Sequence, residues 1–465
     1  MKKGTLLTSV PVVDTGQKGK AVARHQGHVI WLEQVAPGDV VDLTITGRQK
    51  KQLQGRVERI VSPSPDRVTP FCDHFGHCGG CKWQHIAYEA QLRQKAKWVR
   101  DCFERIGGLS FPDPRSIVAA PKTRAYRNKL DFAASSRRWL TADEIGRNQR
   151  YDSRALGFHV SGHFDKVLDI ETCHLMPDYV NTIRNGIRDF ARDNDMPFYD
   201  PKAHEGFLRG VVIRADQQHR WMVMLVIAYD APEWLQLLSD YIQTHLTRVV
   251  SLYHVINAKS NDALYDCEHR LIYGAAALTE TVNEITLSYG PRSFAQTNTG
   301  QSERLYREAL ELAEVRPEDR VYDLYCGVGA ITLQLARRAG SVLGIETAPE
   351  AVAWARENAR MNAIDNVAFH CGAVEKMLGP EFYDAQGHPH LLVIDPPRSG
   401  VHPKVMRAIG RSGADRFLYI SCNPATQARD LALLEGTYHI QAMQPVDMFP
   451  HTPHVENIAL LKRAR

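Results

Sequence analysis

The 465-residue chain contains no apolar run long enough to cross a bilayer. The longest, Trp221–Tyr229, is half or less of the roughly 20 residues a membrane helix needs, and it reads as a buried strand. A large net charge is also missing. Lys plus Arg number 57 and Asp plus Glu 53, a net +4, so a nucleic-acid role would have to rest on local patches. No internal repeat or low-complexity tract occurs, which removes solenoids and linker-like disorder. After Met1-Lys2-Lys3 the polar residues Thr5, Thr8, Ser9 and Asp14 break up the apolar stretch and no small-x-small cleavage site follows, so the cytoplasm is the expected compartment. The nine cysteines are odd in number, unlike a secreted disulfide framework, and Cys72, Cys78 and Cys81 crowd into ten residues. That cluster points to a metal and leaves the other thiols reduced.

What is present is an ordinary globular composition, 44% apolar and 24% charged, at a length that suits about three domains. Residues 1–62 hold short alternating stretches divided by turns at Asp14-Thr-Gly16, Gln26-Gly27 and Pro37-Gly38, the pattern of a small OB-like β-barrel. Basic residues there, including Lys18, Lys20, Arg24, Arg48, Lys50 and Lys51, outnumber acidic ones, which suits either an oligonucleotide surface or a plainly solvated one. Tyr88–Arg105 reads as an amphipathic helix with Leu92, Ala96, Val99 and Phe103 on its apolar side. Between about 117 and 288, strand-like and helical runs mix as in an α+β domain. From Arg320 the rhythm becomes strand, helix, strand, which implies a parallel sheet in an α/β Rossmann-like domain.

The chemistry concentrates in that last region. Asp323-Leu-Tyr-Cys-Gly327-Val-Gly329 closes its first strand, where open α/β sheets bind nucleotides. Thr332 stands where a dinucleotide fingerprint needs a third small residue. That weakens NAD or FAD and favours S-adenosylmethionine, with Asp323 and Glu346 as acidic partners. The fourth strand ends in Asp395-Pro-Pro-Arg398 and the fifth in Ser421-Cys422-Asn423-Pro424, so both motifs face one crevice. A cysteine there, at a helix start, can be held partly as thiolate. Methylation of a pyrimidine at carbon 5 needs such a thiolate at carbon 6 and then a base for the carbon-5 proton; Cys422 and Glu456 are the candidates. Cys173 is the best-flanked fourth partner for Cys72, Cys78 and Cys81. Spacing leaves an iron-sulfur cluster or tetrahedral zinc open, with His74, His77 and His174 keeping a mixed site possible.

These motifs together resemble the RNA 5-methyluridine methyltransferase family, in its iron-sulfur-containing bacterial branch that modifies 23S ribosomal RNA. The resemblance implies a TRAM barrel at 1–62 that binds RNA, a central domain at 63–85 and 118–290, and a methyltransferase domain at 86–117 and 291–465. It implies a 4Fe-4S cluster on Cys72, Cys78, Cys81 and Cys173. By the same resemblance Gln296, in Phe294-Ala-Gln296-Thr-Asn298, joins Tyr325, Ala330, Glu346 and Asp395 around S-adenosylmethionine, with Cys422 as nucleophile and Glu456 as base. Ala330 departs from the polar Asn expected in relatives, and Ala373 likewise replaces a polar residue. A monomer acting on RNA, with no obligate protein partner and no membrane, is the family expectation. The rivals are a tRNA 5-methyluridine methyltransferase, a cytosine-5 methyltransferase, and a non-catalytic iron-sulfur RNA-binding protein.

Overall fold

Continuous apolar strands suit a sheet covered on both faces, and alternating ones a barrel with one wet side; the chain builds both. The computed structural model describes residues 1–50, 52–147 and 149–464, apart from the side chain of Gln17; Lys51 lies outside the described residues. No helix among them is long and apolar enough to cross a membrane.

The N-terminal strands Leu6–Thr15, Ala21–His25, His28–Leu32, Gln52–Ser62 and Val40–Gln49 neighbour one another in that order and close into a barrel. Val10, Val12, Ala23, Ile30, Leu32, Val41 and Leu43 fill it. The chain leaves the first strand through Gly16, where a Cβ would lie 2.3 Å from the Trp31 ring, so glycine is required by close approach. The barrel end rests on the helix Tyr88–Cys102: Thr15 Oγ1 donates to Gln94 Oε1 at 3.0 Å, and Lys97 pairs with Asp14 at 2.8 Å.

The middle of the chain forms an eight-stranded mixed sheet, ordered His269–Gly274, Val249–Ile256, Trp221–Ile227, Leu208–Ala215, Lys129–Ser135, Ala155–Val160, His163–Asp169, Arg138–Trp139. Every residue of Trp221–Ile227 is buried, as its apolar run predicts. The cysteine-bearing segment docks on this sheet, with Cys78 bridged to Val160 and Gly79 N–H donating to His159 O at 3.1 Å.

The C-terminal sheet has seven strands, ordered Val367–Cys371, Ser341–Glu346, Arg320–Leu324, Leu391–Ile394, Arg416–Ser421, Glu456–Arg463, Tyr438–Val446. The first five are parallel, as the sequence rhythm predicts. The last two form an antiparallel pair that the alternation of strand and helix does not foretell: Glu456 opens a strand that pairs with Arg416–Ser421.

The helix Tyr88–Cys102 packs against Pro424–Leu431 of this C-terminal layer. Its buried stripe is Ala90, Gln91, Lys95, Val99 and Cys102, rotated from the expected face; Leu92 and Ala96 are only half-buried. Two polar residues can face inward because both have partners. Lys95 Nζ donates to Asp447 Oδ1 at 2.5 Å and to Phe449 O at 3.0 Å. Gln91 donates to Trp83 O and Ile86 O and accepts from His451 N–H at 2.8 Å. Burial pulls the Lys95 ammonium down and Asp447 pulls it back up. Neither member of this ion pair has any side-chain exposure. Lys95→Met leaves the Asp447 charge buried and unpaired, so the variant is expected to lose about 3–5 kcal/mol in urea unfolding. The double variant with Asp447→Leu should lose less than the two single losses added; strict additivity would mean the pair is not coupled.

Candidate active site

Parallel strands share a direction, so the residues that end them gather at one edge. Tyr325, Glu346, Asp395 and Cys422 sit there, at or just after the ends of four neighbouring strands. The first turn reverses sharply, with φ of 75° at Tyr325, 55° at Gly327 and 87° at Gly329. Tyr325 accepts a conformation that L residues avoid, a strain typical of ligand-binding turns. The turn aims the Gly327 N–H at Glu346 Oε2, 3.2 Å away, while Glu346 Oε1 accepts from the N–H of Thr347 and Ala348.

Four of the five expected cofactor residues, Gln296, Tyr325, Ala330 and Asp395, line one cavity, together with Glu280, Tyr289 and Tyr306. Glu346 stands behind Gly327 rather than on the wall. No Lys, Arg or His is among the lining residues. Burial pushes Asp395 up to about 7, helped by the negative Asp323. Asp323 is fully buried, accepts from Thr332 Oγ1 at 2.5 Å, and is itself pushed by burial to about 7.

Cys422 opens onto a second cavity, of about 310 Å³, walled by Thr15, Gly16 and Lys18 of the barrel, Trp83, Trp98, Arg398, Asn423 and His454. Asn423 caps the helix Pro424–Leu431 through Ala425 N–H, and its Nδ2 donates to Arg398 O at 3.1 Å. A helix start predicts an acidified thiol. Here burial dominates, with Glu456 and Asp395 adding to it, and pushes Cys422 up to about 12 despite the opposing Arg398 guanidinium. Glu456, 2% exposed, is raised well above the usual carboxylate range by burial and by Asp395, and its Oε2 has no partner. His454, on the wall of this second cavity, is held neutral by burial and by Arg398, down to about 4. Arg398 lay inside a motif read from the sequence but without a role, and Lys18 counted only as one of the barrel's basic residues; Trp98 gave no signal, because only the folded chain brings barrel and helix to the thiol.

Cys72, Cys78, Cys81 and Cys173 ring a third cavity, of about 320 Å³, which shares Arg398 and His454 with the second. Their convergence matches the expectation; a closed ligand set does not. Among the described residues no group of three or more His, Cys, Asp or Glu is gathered to hold a metal ion, and a zinc ion would draw its sulfurs to about 2.3 Å. His77 is not on the wall, though His74 and His174 are. Arg184 is fully buried, has Nε and Nη2 unpaired, and lies in electrostatic reach of Cys173. A thiol-lined cavity of this size has room for a group bulkier than a single ion.

A strained turn over a cavity without basic side chains, near a thiol that opens onto a cleft of its own, suits a methyltransferase with separate sites for cofactor and acceptor. Comparison with known proteins narrows it. The profile of the tRNA (Uracil-5-)-methyltransferase family matches residues 275–464. An uncharacterised RNA methyltransferase of Bacteroides thetaiotaomicron is 42% identical over 96% of this chain and 99% of its own, and one of Porphyromonas gingivalis is 40% identical over 97% and 99%. Among solved structures, the Pyrococcus abyssi tRNA (uracil-54, C5)-methyltransferase in complex with S-adenosyl-L-homocysteine superposes with a TM-score of 0.75, at 28% identity over 97% of this chain and 99% of that one. The chain belongs to the RNA uracil-C5 methyltransferase family. The activity of that family is methylation of uracil carbon 5 in RNA.

The buried carboxyls carry a pH signature. An acid whose folded value lies above its unfolded one binds its proton more tightly when folded, so its stabilisation is full below about pH 4 and is lost as pH rises through about 7. Asp323→Asn removes that loss, about 4 kcal/mol at pH 8 from a shift of about three units. In thermal melts without ligand the variant should outlast the wild type at pH 8, with the gap narrowing towards pH 4; a pH-independent gap would contradict the assignment.

Proposed function

We propose that the chain methylates carbon 5 of a specific uridine in 23S ribosomal RNA through a covalent adduct between the Cys422 sulfur and carbon 6. The observation that carries this reading is the shared edge: Cys422 faces a cleft with Glu456 and Asp395 close enough to raise its thiol, and Asp395 also lines the adjoining cavity with Gln296, Tyr325 and Ala330. The target base is splayed out of its RNA fold into the cleft. Cys422 gives up its proton to water in the open cleft and its sulfur bonds to carbon 6, while the carbon 5–carbon 6 π pair moves onto carbon 5 and O4 as an enolate. Bound S-adenosylmethionine supplies an electrophilic methyl carbon for carbon 5. Asp395 and Gln296 orient the reacting partners, and Glu346 holds the turn through Gly327. Glu456, ionised once positive charge enters the site, takes the carbon-5 proton. The freed pair restores the double bond as the carbon–sulfur bond breaks, and Cys422 returns as thiolate.

Cys72, Cys78, Cys81 and Cys173 are the proposed ligands of a 4Fe-4S cluster, which would tie their segment to the central sheet and take no part in methyl transfer. The barrel's basic surface is read as an RNA contact. The proposed working form is a monomer in the cytoplasm. A second reading, tRNA as substrate, is favoured by the Pyrococcus abyssi tRNA enzyme, whose likeness extends over nearly the whole chain; the barrel therefore does not separate the two targets.

Transfer of labelled methyl groups to unmodified 23S ribosomal RNA and to unmodified tRNA, followed by nucleoside analysis, tests the target. Label in 5-methyluridine from ribosomal RNA alone is the expected result, and label in tRNA alone would overturn it. On the accepted RNA, Cys422→Ala should cut turnover by at least about 10⁴-fold, the scale of losing a covalent nucleophile. Glu456→Gln should bind labelled methyl into a protein–RNA complex and release little 5-methyluridine; normal release would remove it as the base.

A further inference from the structure

The cofactor cavity holds two carboxyls, Asp395 and Glu280, and no basic side chain. S-adenosylmethionine carries two positive centres, the sulfonium and the α-ammonium. Asp395 belongs to the reacting end, since its charge is felt by both Cys422 and Glu456. Glu280 lies instead on the strand Leu278–Val282, outside the parallel sheet whose edge carries Cys422. It thus forms a different wall of the cavity from the thiol's strand, free to meet the amino-acid tail of the methyl donor.

We propose that Glu280 receives the α-ammonium of S-adenosylmethionine and so selects a cofactor with an intact amino-acid end. This deepens the cofactor reading above and rests on it. The side chain is placed for the task. Glu280 sits mid-strand in Leu278–Val282, paired with Leu287 of Ile285–Tyr289, and is 4% exposed. Thr299 Oγ1 donates to its Oε1 at 3.0 Å, and Asn128 Nδ2 reaches the same oxygen at 3.5 Å. The Asn128 amide also donates to Gln296 O at 3.0 Å, which keys the carboxyl to the backbone of the cofactor segment. The Thr299 and Asn128 bonds both fall on Oε1; the Tyr289 phenol also bonds the carboxyl, and its remaining capacity is open to a ligand. Burying a carboxyl so fully is costly without a cation, and Arg214, which feels its charge, is turned to Ser293 O at 2.7 Å. A bound ammonium would supply the missing charge.

The alternative is that Glu280 only ties its strand to the start of the helix Thr299–Ala313. Two ligands separate the roles in calorimetric titration of the full-length protein. S-adenosylhomocysteine keeps the ammonium; 5′-methylthioadenosine keeps the adenosine and thioether but lacks the amino-acid end. Glu280→Gln should weaken S-adenosylhomocysteine by about tenfold or more, the scale of a charged hydrogen bond, and leave 5′-methylthioadenosine unchanged. Glu280→Asp, which keeps the charge, should fall between. Equal weakening of both ligands, or loss of neither, overturns the proposal. A wild-type protein that binds neither ligand would instead remove the cofactor site itself.

Discussion

Lys95 and Asp447 stand 352 positions apart in the chain and meet with no exposure of either side chain. Everything around the thiol depends on that meeting. Asp447 also accepts from Tyr88 O–H at 2.8 Å and from Phe449 N–H, so one carboxylate pins both the first turn of the helix Tyr88–Cys102 and the start of the loop that leads to Glu456. One turn away, Gln91 grips His451, whose carbonyl receives the N–H of Lys82 and Trp83. The cysteine segment, the helix and the catalytic loop thus share a polar spine sealed from water. Apolar side chains could fill the same volume as stably. What they would not impose is a single register between helix and loop, and register decides where His454 and Glu456 point.

That spine closes a site poor in charge. Asp323, Asp395, Glu280 and Glu456 are all driven upward mainly by burial, and Cys422 is driven the same way. Among the walls of the cleft and the adjoining thiol cavity, Arg398 is the guanidinium that opposes this at the thiol. A protein that buries so many acids with so few cations keeps them protonated until something positive arrives. Ionisation of Cys422 and Glu456, in the roles proposed for them, is in this way tied to occupancy.

The catalytic half of this arrangement was legible in the sequence because parallel strands turn linear motifs into neighbours: an Asp or Cys that ends a strand must lie at the common edge. The places of Cys422 and Asp395 follow from that rule, while Tyr325 entered through the family resemblance. Glu456 follows less directly, since it opens an antiparallel strand that the alternation of strand and helix does not foretell. Gln296 needed the family resemblance. Lys95 and Gln91 were hidden by their chemistry, because a helix is read by its apolar stripe and these two are buried through partners far along the chain. Glu280 was hidden likewise, as a lone acid in an alternating strand. The barrel's fold was plain from its turns, but its docking over Cys422 rests on Asp14, Thr15 and their partners on the helix. The identity of the RNA target leaves no mark in these residues, because the likeness to a tRNA enzyme covers nearly the whole chain.

The central claim is that one uracil is held between the Cys422 sulfur and the methyl donor. The most direct measurement incubates the enzyme with S-adenosylmethionine and RNA carrying 5-fluorouridine, where fluorine blocks the final elimination, and then maps the digested complex by mass spectrometry. The account predicts one modified peptide, Cys422 bearing a methylated fluoronucleotide. A nucleotide on Cys326 or Cys371, or a methylated RNA never linked to protein, would contradict it.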